Sequence, residues 1–173
     1  METSPAPALP MSGRIDGWLE FQERFRASLA LVSASPGECR WVDADFARWP
    51  LGERAVTDVL QEWMLRHSGA SVTLLAGHFD VLPRTHPRWL NWRQTWSHRV
   101  RCWQASDEIT ADLRPMFIWR DPSGDRLGIR MLDSVTAVGQ WTTDASVLSL
   151  WQADFDAYLQ RSSEGMPCTT LGL

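Results

Sequence analysis

Ser71-Val72-Thr73-Leu74-Leu75-Ala76-Gly77-His78-Phe79-Asp80 is the stretch from which the fold is read. Its first six residues are a short apolar run, the pattern of a central strand covered on both faces, and Gly77 breaks it. Directly before it, Glu53 to His67 places Ala55, Val56, Val59, Leu60, Trp63 and Met64 at helical spacing, and Gly69 follows where a glycine ordinarily closes a helix. Before that helix, Cys39-Arg40-Trp41-Val42 reads as a short strand running into Asp43-Ala44-Asp45-Phe46, and Pro50-Leu51-Gly52 interrupts the chain. Strand, helix and strand in that order predict a parallel pair with a right-handed crossover.

Working outward, Ile15 to Val32 is predicted as a helix and Val100 to Gln104 as a third strand. Met116 to Arg120 and Leu127 to Leu132 form a hairpin across the turn Asp121-Pro122-Ser123-Gly124-Asp125. Val135 to Trp141 is a further strand, and Ala145 to Arg161 a closing helix capped by Thr143 or Asp144. Residues 1–13 and 162–173 lack periodicity and are expected as tails around one domain spanning 14–161. The expected class is α/β, a mixed sheet with helices on both faces. Sites in such sheets lie beyond the carboxyl ends of the parallel strands. Asp43, Asp45, His78 and Asp80 fall there, and His86 is within reach.

All seventeen basic residues are arginine, and there are eleven tryptophans against one tyrosine. Without lysine the chain has no phosphate loop of the GKT or GKS type, no Schiff-base lysine and no Ser–Lys pair. The net charge of −4 argues against a general nucleic-acid coat while leaving room for a local basic site. Cys39, Cys102 and Cys168 are odd in number and widely spaced, so neither a disulfide framework nor a zinc site is expected. No secretory signal and no apolar run of about eighteen residues is found, and the expectation is a soluble cytoplasmic protein.

The unusual chemistry is concentrated in Arg84 to Arg101, RTHPRWLNWRQTWSHRVR, which holds five arginines, two histidines and three tryptophans. No acid occurs between Asp80 and Asp107. With Pro87 opening a helix, Trp89, Trp92 and Trp96 share one stripe, beside His86, Leu90, Arg93 and Ser97. Large aromatics at this spacing ordinarily pack inward, with a ligand-facing wall as the alternative. The candidate anion-binding residues are His86, Arg88, Trp89, Trp92, Arg93 and Arg99. Arg93, beside the apolar stripe, needs a partner. Asp43, Asp45 and Asp80 are the internal candidates and an external anion the other. His86 is also placed to satisfy free N–H groups at the helix start.

Enzyme signatures are scarce. Asp43-Ala44-Asp45 after an apolar strand is similar to the paired aspartates of haloacid-dehalogenase-type phosphatases, whose chemistry also needs a lysine. The aspartates are therefore expected to satisfy loop or cap N–H groups. The histidines show no metal-ligand spacing, and neither a GxSxG elbow nor a dinucleotide fingerprint occurs, so no metal and no cofactor is expected.

The layout from residue 14 onward, with HPRWLNWRQTWSH, the hairpin and LWQADFDAYLQRS, resembles one half of a phospholipase D-like domain, and more closely a group of proteobacterial domains related to that superfamily. The superfamily's His-x-Lys-x4-Asp motif supplies a nucleophile, a phosphate-holding lysine and an orienting acid. Two copies meet across a pseudo-twofold or dimer axis. Aligned on Arg114 to Asp121, the motif places Arg114 at the histidine, Met116 at the lysine and Asp121 at the acid. Arginine stays protonated, and methionine neither donates a hydrogen bond nor offsets phosphate charge. The resemblance therefore implies the fold without phosphodiesterase activity: a module for binding a phosphate compound or nucleic acid, or for assembly. Two other readings stand beside it. One is a divergent phosphate-ester hydrolase using His86 or His78 with Asp45 or Asp80; the other is a homodimer or protein-interaction scaffold with tryptophan and arginine anchors.

Overall fold

A computed structural model describes residues 11–166. Its elements are β1 (Ser12–Asp16), α1 (Trp18–Val32), β2 (Glu38–Asp43), α2 (Arg54–Arg66), β3 (Ser71–Ala76), α3 (Leu82–Thr85) and α4 (Pro87–Thr95). Then come β4 (Val100–Ala105), α5 (Asp107–Thr110), β5 (Met116–Asp121), β6 (Gly124–Asp133), β7 (Val138–Thr142), α6 (Ala145–Gln160) and β8 (Ser162–Glu164). All eight strands join one sheet in the order β1-β7-β6-β5-β2-β3-β4-β8. The trio β2, β3 and β4 is parallel, and every other pairing is antiparallel.

Alternation along the strands sorts side chains onto two faces. From β2 and β5, Cys39, Trp41, Phe117 and Trp119 meet α1, α2 and α4, while Val42, Met116 and Ile118 meet α6. The first face is aromatic at its centre: Phe25 makes edge-on contacts with Trp41, Trp49 and Phe117, with ring centroids 5.1–5.7 Å apart. On the second face α6 lays Leu148, Trp151 and Phe155 against the sheet. Gly128 permits that approach, because a Cβ there would lie 2.5 Å from a Leu148 methyl carbon. Asp144 caps α6, its carboxylate accepting from the Ser146 N–H at 2.9 Å.

Two edges differ from expectation. Ser12–Asp16 is a strand on β7 rather than tail and helix start, and Ile15 is buried under α1; Gly17, at φ 95°, turns the chain into the helix. Ser162–Glu164 pairs with Trp103–Ala105 of β4 instead of trailing free. β7 begins at Val138, because Ser134 to Ala137 is a turn with Ala137 at φ 52° and Val135 94% exposed. Residues 1–10 and 167–173 of the two expected tails, Cys168 among them, lie outside the described residues. Cys39 and Cys102 are both buried.

Candidate anion-binding surface

Pro87 does open α4, and the helix turns its apolar residues inward: Trp89 and Trp92 are buried, their rings 6.1 Å apart. His86 is buried as well. Its Nδ1 accepts from the Gly52 N–H at 3.1 Å and its Nε2 faces the Phe46 carbonyl at 2.8 Å, which assigns the neutral tautomer with the proton on Nε2. Burial pushes this imidazole below its ordinary pKa. His86 thus fastens the loop after β2 to the start of α4 and, contrary to expectation, does not cap α4 itself.

Arg93 is only 5% exposed, and its partners are carbonyls, not aspartates. Nε donates to Val100 O at 3.3 Å and Nη1 to Met166 O at 2.5 Å, closing the edge of β4 where β8 does not reach. The three carboxylates expected to hold it are engaged elsewhere. Asp43 accepts from the Ala44 N–H at 2.7 Å and the Trp49 indole at 3.1 Å, and burial pushes its carboxyl up to about 7. Asp45 accepts from the Ala47 N–H at 2.9 Å, and Asp80 is exposed, its carbonyl taking Arg84 Nε at 3.2 Å. The loop-satisfying role expected for Asp43 and Asp45 is what their bonds show. Of the six candidate residues, His86, Trp89 and Trp92 are thus buried in the fold, and Arg93 is 5% exposed and held by two carbonyls.

Arg88 and Arg99 remain at the surface. Arg88 Nη1 donates to Gly52 O at 2.6 Å. Arg99 donates to His67 O and Met64 O, both at 2.7 Å, closing the carboxyl end of α2, and lies 4.6 Å over the Trp96 ring. Bonds to carbonyls orient a guanidinium without cancelling its charge. Seven arginines form ion pairs with carboxylates (Arg14, Arg26, Arg40, Arg120, Arg126, Arg130 and Arg161). None of the seven between Arg54 and Arg101 has a carboxylate partner among the described residues, and three of them, the exposed Arg54, Arg66 and Arg101, have no side-chain partner of any kind among those residues.

Two residues that sequence reasoning left out of the site, His98 and Arg101, line both hollows beside the end of α4. A hollow of about 520 Å³ is lined by Arg93, Ser97, His98, Arg101, Cys102, Trp103 and Glu164. An adjoining one of about 420 Å³ shares His98 and Arg101 and adds Arg99, the hydroxyls of Ser68, Ser71 and Thr73, and one acid, Glu38. The strand alternation of β4 was the available signal, since it turns Val100 and Cys102 inward and Arg101 out.

At the opposite, carboxyl end of the parallel strands lies a cleft of about 560 Å³ lined by Trp18, Asp43, Asp45, Arg48, Thr110, Arg114 and Ser134, among others. Phe46, at φ 62°, bends the adjoining loop.

No protein-family model matches this chain, and no curated protein does. Solved structures do. TrmBL2, an archaeal chromatin protein whose structure shows a novel mode of DNA binding, superposes with a TM-score of 0.59 at 15% identity, over 90% of this chain and 55% of that one. Nuc from Salmonella typhimurium, a phospholipase D family member, gives 0.57 at 7% identity over 92% of this chain and all of the other. The chain has a phospholipase D-like fold. NucT from Helicobacter pylori, at 0.55 and 9% identity over 91% of this chain and all of that one, shares it.

In this phospholipase D-like fold the aligned motif positions take definite places. Arg114 lines the carboxyl-end cleft and donates to Ala111 O at 2.9 Å and Leu113 O at 3.0 Å. Met116 is buried in β5, opposite Val42 and Arg130. Asp121 holds the hairpin turn, accepting from the Ser123 N–H at 2.8 Å and Arg126 Nε at 2.7 Å. Among the described residues no histidine bonds to an aspartate: His86 binds carbonyl and N–H groups, and the buried His78 Nδ1 has no partner. No three His, Cys, Asp or Glu side chains among them gather as a metal-ligand set, and no helix among them is long and apolar enough to cross a membrane.

Proposed function

We propose that this is a cytoplasmic binding module of phospholipase D-like fold that holds a phosphate-bearing anion, a phosphate compound or a nucleic acid, without cleaving phosphodiesters. The surface is the outer side of α4, the turn after it and β4, with Arg88, Arg99, His98 and Arg101 as contacts. One observation carries this reading: the arginines from Arg54 to Arg101 keep their charge, because no carboxylate among the described residues pairs with them. The DNA-binding mode reported for TrmBL2 supports nucleic acid as the ligand class. Arg114 and the buried Met116, standing where the resemblance puts a nucleophile and a phosphate-holding lysine, support the loss of hydrolysis. The burial of Cys39, which forms no disulfide, fits a reducing compartment. A dimer built on tryptophan anchors is not favoured, because every tryptophan is buried or partly buried.

The test is competition by inorganic polyphosphate and by unlabelled DNA for a fluorescent DNA probe, run beside bis(p-nitrophenyl) phosphate hydrolysis. Saturable binding that weakens as salt rises, at least tenfold poorer in Arg88→Ala/Arg101→Ala with an unchanged melting temperature, and no turnover, is the expected result. Absence of binding to either polyanion, or enzyme-dependent release of nitrophenol, would overturn it.

A further inference from the structure

The exposed residues of α4 carry more information than their charge. Arg88, Asn91 and Thr95 stand at i, i+3 and i+7 and share one face, with Arg84 just before them and His98 just after; Arg101, on β4, leaves the sheet on the side away from α4 and joins them through the hollow it lines with His98. All six are exposed. At 1.5 Å per residue, Arg88 to Thr95 spans roughly 10 Å, a length that covers more than one phosphate of a nucleic-acid strand. The acids on neighbouring elements are Asp58 and Glu62 of α2, Glu38 of β2, which lines the smaller hollow with His98 and Arg101, and Glu164 of β8, which lines the larger; α3, α4 and β4 contribute none.

This face offers no platform for bases. A single strand is held by charge together with stacking of its bases on aromatic rings. Here Trp89 and Trp92 are buried, Trp96 donates its indole N–H to Gln61 at 2.7 Å beneath the Arg99 guanidinium, and Trp103 packs against the α6 core. Apart from the His98 imidazole, what stays exposed is guanidinium, amide and hydroxyl, the groups that bond phosphate oxygens and sugars. A duplex, its bases already stacked inside, needs nothing else, and it presents about one charge per 1.7 Å.

Resting on the anion-binding reading above, we infer that this face grips the sugar–phosphate backbone of duplex nucleic acid in preference to single strands. Arg84 and Arg88 form one end of the track, and His98 and Arg101 the other. Asn91 and Thr95 bridge them as phosphate-bonding groups. The buried tryptophans hold the helix in place and do not touch the ligand.

Fluorescence anisotropy with a labelled 24-base-pair DNA duplex and each of its strands, over a salt series, tests this. The duplex should bind at least about tenfold tighter than either strand, with tryptophan emission unchanged. Three arginines at about −0.9 each give a slope of log K against log salt of roughly −2.7, falling by about 2 in Arg88→Ala/Arg101→Ala. Arg101→Ala alone, at a side chain with no partner among the described residues, gives a change of about 1 without any effect on folding. Equal or tighter binding of the single strands, tryptophan quenching on binding, or unaltered affinity in the variants would overturn the duplex inference. If inorganic polyphosphate binds and neither form of DNA does, this inference fails while the anion site stands; if polyphosphate and DNA both fail, the site itself is wrong.

Discussion

The two ends of the sheet use the same side chain in opposite ways. Around β1, β5, β6 and α6, arginines meet carboxylates: Arg14 with Asp16, Arg126 with Asp121, Arg130 with Asp154. Around α4 and β4 they meet carbonyls, Arg93 with Val100 and Met166 and Arg99 with Met64 and His67, or, as at Arg101, no partner among the described residues. A carboxylate both orients and neutralises a guanidinium. A carbonyl only orients it, so a chain of net charge −4 can still present a cationic face. The difference separates arginines that build the fold from arginines left over for a ligand, and it can be broken one residue at a time.

The largest effect is expected where a carbonyl-bound arginine is also buried. Arg93→Ala removes two charge-assisted bonds, each contributing roughly 1.5–3 kcal/mol, and leaves a void at the β4 edge. The cost should be about 4 kcal/mol, a fall in Tm of roughly 8–16 °C for a domain of this size. Thermal melting checks it. Arg93→Met, which restores volume but not the bonds, should recover only part of the loss. Full stability in Arg93→Ala would mean that the buried guanidinium holds nothing, and the division between building and binding arginines would lose its clearest member.

The second test concerns the acid expected to pair with Arg93. Asp43 is buried with an indole and a backbone N–H as donors and no cation beside it, and burial raises its carboxyl from 3.8 to about 7. Between those values the folded chain holds a proton that the unfolded chain has released, so this group's contribution to stability is present below about pH 4 and is lost as pH rises through 7. At 1.36 kcal/mol per unit the loss is on the order of 2–3 kcal/mol between pH 5 and 7. His86, whose folded-state pKa is lowered, acts in the other direction, costing stability as pH falls below its ordinary value near 6.5. The comparison of wild type with Asp43→Asn cancels the histidine, which both proteins carry. Melting temperatures at pH 5, 6, 7 and 8 should show the variant gaining on the wild type by several degrees as pH rises; parallel curves would mean that Asp43 is ionised in the fold.

These pairings explain what could and could not be read in advance. The apolar runs at 39–42 and 71–76 and the Asp121–Asp125 turn are local signals, and the parallel trio and the hairpin follow from them. Ser12–Asp16 has one buried apolar side chain, Ile15, and Ser162–Glu164 has none; both are strands because a neighbour supplies the ladder. The cationic segment was visible in its arginines and missing acids. Which of its arginines would be consumed was not, because Arg93 and Arg99 are satisfied by carbonyls freed at a sheet edge and at a helix end, and those positions exist only once the chain has folded.

The smallest expected effects divide the two regions most cleanly. Arg14→Ala and Arg101→Ala both remove an exposed side chain, and neither should change stability by more than about 0.5 kcal/mol. Their electrostatic consequences differ. Loss of Arg14 uncovers Asp16 at 2.7 Å, on the far edge of the sheet from α4. Loss of Arg101 subtracts a charge that nothing had cancelled, between His98 and the edge of β4. With equal melting curves, anisotropy titrations of duplex DNA at low salt should therefore show a several-fold weakening for Arg101→Ala and less than twofold for Arg14→Ala. If the two variants weaken binding equally, the protein answers to net charge alone, and the pairing of its arginines does not locate a site.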